Sequence, residues 1–201
     1  KGGHAAMPQF TIDPIVIGAK IIEAYQSIIS RFIDPQQPAV ISITQIHGGD
    51  AYNVIPDSID IKGCTRCFAP KIQLLMETKM RQMATDICKA YGATAEFTYE
   101  KRYPPTVNSQ AETDIAASVA AGIVGKERVN TSPTAAMGSE DFAFMLQEKP
   151  GAYIWVGNGD GEGSCSVHNP GYDFNDDVLP IGASYWVKLA ETLLPPIKQS
   201  T

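Results

Sequence analysis

Between Asp13 and Glu100 the spacing of apolar residues switches back and forth between a helical and an extended period, and that succession restricts the fold more than any other feature. Asp13-Pro14 is a helix start, an aspartate able to cap followed by a proline suited to the first turn. Ile15, Ala19, Ile22 and Ile29 then recur on one face, which predicts a helix to about Ser30. After the loop Asp34-Pro35-Gln36-Gln37-Pro38, Ile41 and Ile43 alternate with Ser42 and Thr44. Beyond the turn His47-Gly48-Gly49-Asp50, Ile59 and Ile61 alternate with Asp60 and Lys62, so two half-buried strands are expected. Pro70 opens a second helix in which Ile72, Met76, Met80, Met83 and Ile87 keep a spacing of three or four, and Gly92 closes it. A methionine stripe of this kind reads as core packing rather than as a cofactor site. Finally Ala95, Phe97 and Tyr99 alternate with Glu96, Thr98 and Glu100, which predicts a last strand.

Helix, strand, strand, helix, strand is the order of the split β-α-β, or ferredoxin-like, unit without its first strand. That strand is expected to end at Gly2-Gly3-His4, and a sheet lacking it would expose a partner strand. The expectation is therefore that the chain, which opens on Lys1, is the C-terminal piece of a longer polypeptide. Tyr103-Pro104-Pro105 marks a break, giving one domain over 1–103 and a second over 104–201. In the second, Ala111 to Val124 reads as an Ala-rich helix, and Ser139-Glu140-Asp141 is expected to cap another with acids in its first turn. Gly151-Ala-Tyr-Ile-Trp-Val156 reads as a buried strand, and Asp176 and Asp177 precede a final helix from about Leu179 to Leu194 that ends at Pro195-Pro196. The fold class expected is α/β, with half of an α/β domain following an inserted ferredoxin-like domain.

A net charge of −6 with 16 unclustered basic residues argues against nucleic acid or an acidic membrane as partner. No apolar run reaches the length of a membrane span, and the first residues lack the charged and apolar regions expected of a signal peptide. Cys64, Cys67, Cys88 and Cys165 lack a disulfide-dense spacing, which fits a reducing cytoplasm. Cys64-Thr-Arg-Cys67 matches C-x-x-C. On a strand, however, residues three apart face opposite ways and cannot grip one metal, so both are expected to be packed strand cysteines.

Two of the three histidines stand where reactive side chains are presented: His4 behind two glycines, and His168 in the polar loop Gly163 to Asp177. The acids after His168 are as easily helix caps. Read together, Lys1-Gly-Gly-His4-Ala-Ala-Met-Pro8 with Asp13-Pro14-Ile15, Asn53-Val-Ile-Pro-Asp57, Gly63-Cys-Thr-Arg66, Met137-Gly-Ser-Glu-Asp-Phe142 and His168-Asn-Pro with Asp173-Phe-Asn-Asp176 form a specific pattern. In this order it closely resembles the amidohydrolase branch of the metallo-aminopeptidase and carboxypeptidase clan, which includes hippurate hydrolase, N-acyl-amino-acid amidohydrolases and the plant hydrolases of auxin conjugates.

The resemblance implies an α/β catalytic domain holding two divalent metals, zinc or manganese, and an inserted ferredoxin-like lid through which members form homodimers. It implies His168 as a metal ligand and His4 as the lid histidine that polarises the scissile carbonyl, supplied in many members to the neighbouring subunit's site. It implies Asn53 and Arg66 as binders of the substrate's carbonyl or carboxylate, and Gly138 and Ser139 as lining of the substrate pocket. The substrate implied is an N-acyl or N-aroyl amino acid. The resemblance also implies a His-x-Cys-Gly-His-Asp segment, a general-base glutamate and a further metal-binding histidine, none of which this sequence contains. Residues 1–201 alone are accordingly expected to lack amidase activity and to bind metal weakly. Two plainer readings stand beside this one. Arg66 pairs with an acid on its own sheet and Asn53 caps the turn before Pro56; or the whole chain is a non-catalytic ferredoxin-like dimerisation or ligand-binding module.

Overall fold

The computed structural model describes residues 1–194, which divide into two compact units, Lys1–Pro105 and the part from Thr106 onward. The first unit begins with β1 (Gly3–His4), followed by a short 3-10 turn and α1 (Pro14–Phe32). Asp13 caps α1 as its sequence position predicts: its Oδ1 accepts from the Ile15 N–H at 2.9 Å. Then come β2 (Ala39–His47), β3 (Val54–Ile55), β4 (Asp60–Cys67) and α2 (Pro70–Ala90). Strands β2 and β4 pair antiparallel from Ala39↔Cys67 to His47↔Asp60, with an irregularity between Ile43 and Gln45 that leaves Thr44 outside the register. Strands β1 and β3 make a separate two-residue ladder, Gly3↔Ile55 and His4↔Val54.

Helices α1 and α2 pack on each other and on one face of the β2–β4 hairpin. Ile17, Ile21, Tyr25 and Ile28 from α1, Ile41 from β2, and Ile72, Met76, Met80, Ala84 and Cys88 from α2 form the core, in which Ile28 and Met76 are fully enclosed. The methionine stripe is thus core, as its spacing implies, although Met83 and Ile87 sit at its edge while Ala84 and Cys88 are inside. At its C-terminus α2 stops on Gly92, whose φ of +73° is the left-handed conformation that glycine adopts without strain, and the Ala93 N–H returns to the Cys88 carbonyl at 2.8 Å.

The expected last strand differs in one respect. Ala95, Phe97 and Tyr99 alternate inward onto the core, but the segment forms no backbone ladder among the described residues. Side chains hold it instead. Arg81 donates to the Phe97 carbonyl at 3.0 Å with its guanidinium over the Phe97 ring, Lys101 pairs with Glu77 at 3.0 Å, and the Tyr99 hydroxyl meets Thr65 Oγ1 at 2.6 Å. The two cysteines of β4 part company as well. Cys67 packs against the core, where burial pushes its thiol up, whereas Cys64 is exposed rather than packed.

Burial also pushes the Tyr25 hydroxyl up from 10.0 to about 12, with Cys88 nearby adding to the effect. Because the folded value lies above the unfolded one, this stabilisation is complete below about pH 10 and is lost as pH rises toward 12, a loss of roughly 3 kcal/mol. Tyr25→Phe should therefore flatten the alkaline decline seen by urea unfolding at pH 8 and pH 11.5. Parallel declines in both proteins would contradict this.

The second unit contains α3 (Gln110–Val124), α4 (Phe142–Glu148) and α5 (Leu179–Leu193). Ala116 and Val119 of α3 and Tyr185 of α5 are its buried centre, with Ala152 and Ile154 packed on them. Residues 151–156, expected as a strand, form no backbone ladder among the described residues. The Asn108 amide replaces a neighbouring strand by accepting from the Tyr153 N–H and donating to the Tyr153 carbonyl, each at 2.9 Å, and the Ser109 N–H reaches the Gly151 carbonyl at 2.9 Å. Helix α4 lacks the expected side-chain cap. Asp141 is itself in the αR conformation, and the carbonyls of Glu140 and Asp141 take the Ala143 and Phe144 N–H groups. Before α5 the 3-10 turn Asp176–Val178 is capped by Asn175, whose Oδ1 accepts from the Asp177 N–H at 3.0 Å, and α5 itself begins without a side-chain cap. The predicted stop at Pro195-Pro196 lies outside the described residues. No described helix is long and apolar enough to cross a membrane.

Candidate functional site

The first unit brings two of the predicted site residues together. His4 ends β1 opposite Val54 of β3, and one residue beyond the ladder the Ala5 N–H donates to the Asn53 carbonyl at 3.0 Å. The His4 and Asn53 backbones are therefore held side by side although 49 positions separate them in the chain. Both side chains are exposed. The His4 ring is oriented locally, its Nδ1 accepting from the Ala6 N–H at 3.0 Å, so in the neutral ring Nε2 carries the proton and is the available donor. The Asn53 amide makes no hydrogen bond among the described residues, so it does not act as the turn cap that the plainer reading assigned to it.

The approach of β1 to β3 depends on Gly2. A Cβ there would lie 2.5 Å from the Ile55 carbonyl oxygen, and the Gly2 N–H donates to Asp57 Oδ1 at 2.7 Å. In the sequence Asp57 is the last residue of Asn53-Val-Ile-Pro-Asp57 and carries no assigned role there. Its signal in the sequence is an acid directly after Pro56, close to a strand end where a backbone donor needs a partner.

Arg66 lies on the other ladder, in β4 opposite Val40, exposed, and donates from Nη1 to its neighbour's Thr65 carbonyl at 3.0 Å. None of the ion pairs among the described residues includes it, so the plainer reading of a pairing on its own sheet is not realised. A planar guanidinium on an exposed strand face is a fork available to a carboxylate.

The remaining predicted residues belong to the second unit. Gly138 and Ser139 are exposed in the loop before α4, and a Cβ on Gly138 would meet nothing within 4 Å, so packing within this unit does not demand a glycine there. His168 is exposed in a turn closed by the Asn169 N–H to the Ser166 carbonyl at 3.1 Å. Its φ of +71° makes it the one described non-glycine residue in the left-handed region. A histidine held there has an uncommon backbone that fixes where its ring projects.

Whether these residues can hold the implied metals is a question of ligand number. A catalytic metal takes about three protein ligands, and among the described residues no group of three or more His, Cys, Asp or Glu is assembled. His168 offers one imidazole, so the described residues do not by themselves fit a two-metal centre.

Residues 3–192 match the family model described as peptidase family M20/M25/M40. The chain is similar to IAA-amino acid hydrolase ILR1-like 4 of Arabidopsis thaliana, 37% identical over all of this chain and 47% of the relative. It is also similar to hippurate hydrolase of Campylobacter jejuni, at 35% identity over 94% of this chain and 49% of the relative. A solved structure from Bacillus subtilis, described as a dinuclear metal binding peptidase from the M20 family, superposes with a TM-score of 0.69 at 29% identity, over 94% of this chain and 48% of that one. The chain thus spans about half the length of the curated relatives it matches. With the model match running from β1 to α5, through His4, Asn53, Arg66 and His168, the chain belongs to peptidase family M20/M25/M40.

Proposed function

We propose that the whole protein is a metal-dependent amidohydrolase that cleaves the amide bond of N-acyl or N-aroyl amino acids. Water adds its oxygen to the acyl carbon, the C–N bond breaks, and the nitrogen leaves protonated as the free amino acid. The observation that carries this reading is the His4–Asn53 pair: two exposed side chains with donors to spare, one at the end of β1 and the other in the turn just before β3, in a chain whose relatives are named as hydrolases of IAA-amino acid and hippurate.

In this reading Nε2–H of His4 donates to the scissile carbonyl oxygen as negative charge develops there, and the Asn53 amide donates to the same end of the substrate. Arg66 takes the substrate carboxylate, while Gly138 and Ser139 line the pocket. His168 adds one imidazole to the metal centre of the whole protein, where zinc or manganese suits a histidine and carboxylate ligand set. Residues 1–103 act as a lid and homodimerisation unit, residues 104–201 as part of the catalytic domain, and the setting is cytoplasmic. The test is turnover. The whole protein loaded with zinc or manganese should release benzoate and glycine from hippurate, or the matching products from other N-acyl amino acids. Absence of turnover across such a panel, with metal bound, would overturn the proposal.

The role of Arg66 has its own test. Arg66→Ala should raise KM roughly tenfold for a substrate with a free carboxylate, the loss of a charged hydrogen bond, and leave KM for the matching carboxamide nearly unchanged. Equal KM changes for the two substrates would remove Arg66 from this role.

A further inference from the structure

We infer that Asp57 is a positioning residue for His4, an assignment that rests on the catalytic reading of His4 given above. The residues leading into His4 are Gly2 and Gly3, the most permissive backbone possible, and β1 shares only two ladder pairs with β3. The segment therefore cannot fix its own geometry; the fixing groups must come from outside it. One edge is held by Ile12, whose N–H donates to the Lys1 carbonyl at 2.8 Å. On the other edge the ladder ends at Ile55, and there the Asp57 carboxylate takes over by accepting the Gly2 N–H at 2.7 Å. This is a short, charge-assisted bond, two residues from His4, in a place where no backbone carbonyl continues the ladder. The close approach of Gly2 to Ile55 and Pro56, where a Cβ would lie 2.5 Å and 3.0 Å from backbone atoms, shows how tightly this edge is seated. At its far end the same strand is tied by the Ala5 N–H to the Asn53 carbonyl, so Asp57 and Asn53 bracket His4 along one edge.

Asp57 is exposed and touches no reacting atom in the reading above, so it acts through His4. In the whole metal-loaded protein, Asp57→Ala is expected to lower kcat roughly tenfold with little change in KM, the effect of a misplaced catalytic donor. Asp57→Asn keeps an acceptor at the same reach and should recover most of that loss. The decisive comparison is made in the His4→Ala background, where Asp57→Ala should cost less than about twofold because the group it positions is gone. Should Asp57→Ala fail to fold, Asp57→Glu, which keeps the charge but displaces the acceptor by a methylene, carries the same comparison. If His4→Ala is impaired and the Asp57 variant costs the same factor in both backgrounds, the inference falls while the reading of His4 survives. If His4→Ala itself turns over normally, the reading of His4 falls and takes the inference with it.

Discussion

Replacing His4 by alanine in the whole metal-loaded protein is expected to lower kcat about 100- to 1,000-fold, the range for removing one preorganised donor to a developing oxyanion. The size of the effect follows from how little else the ring does. His4 is exposed, outside the buried core, and its place in the β1–β3 ladder is a backbone matter that alanine preserves. The side chain's one local bond is from the Ala6 N–H to Nδ1, on an exposed turn whose donor is left accessible to water in the variant. Thermal unfolding and metal content should consequently match the parent protein, and KM should move little, because the lost interaction strengthens only as charge develops on the substrate oxygen. Steady-state kinetics on an N-aroyl amino acid, with melting and metal analysis on the same preparations, would check this. A kcat within about threefold of the parent, or a loss of bound metal, would remove His4 from the role of oxyanion donor.

How much of this was legible in the sequence depended on whether the deciding interaction was local. The start of α1 was, because an aspartate cap and a proline act within one turn, and Asp13 caps where expected. The inward faces of residues 95–99 were legible too, since alternation is a property of the residues themselves. Whether that segment hydrogen-bonds as a strand was not, because period two says nothing about which backbone lies alongside, and here Arg81 and Thr65 supply the partners. The cap of α4 was misread, and that of the turn before α5 was not picked out, for a related reason. Several acids and amides near a helix start compete for one geometry, and composition does not show that Asp141 is already helical or that Asn175 faces the Asp177 N–H. At the site, His4 and Asn53 were each named from motifs, but their adjacency is made by a two-residue ladder between segments 49 positions apart, which no local pattern encodes. The left-handed backbone of His168 was equally hidden, since nothing in Ser166-Val167-His168-Asn169 requires it.

The largest loss of stability is expected from Met76→Ala, at about 2–5 kcal/mol. Met76 is wholly enclosed, at the middle of the stripe by which α2 meets α1 and the β2–β4 hairpin. Truncation removes its thioether and leaves a cavity walled by two helices and a sheet, elements that cannot close in without giving up contacts elsewhere. The matching substitution Met83→Ala should cost less than half as much, because Met83 sits at the edge of the same core and water can fill the space. Urea unfolding monitored on the first unit separates the two, and near-equal losses would mean that the enclosure of Met76 does not carry the core. The comparison also bears on function. Met76 braces the face of the β2–β4 hairpin opposite Arg66, whereas His4 stands on the β1–β3 ladder and Asn53 just beyond it. Below the melting range, a destabilised Met76→Ala protein should lose carboxylate selectivity before it loses the slow step that depends on His4. The order of those two losses on warming would show whether the two ladders are held independently.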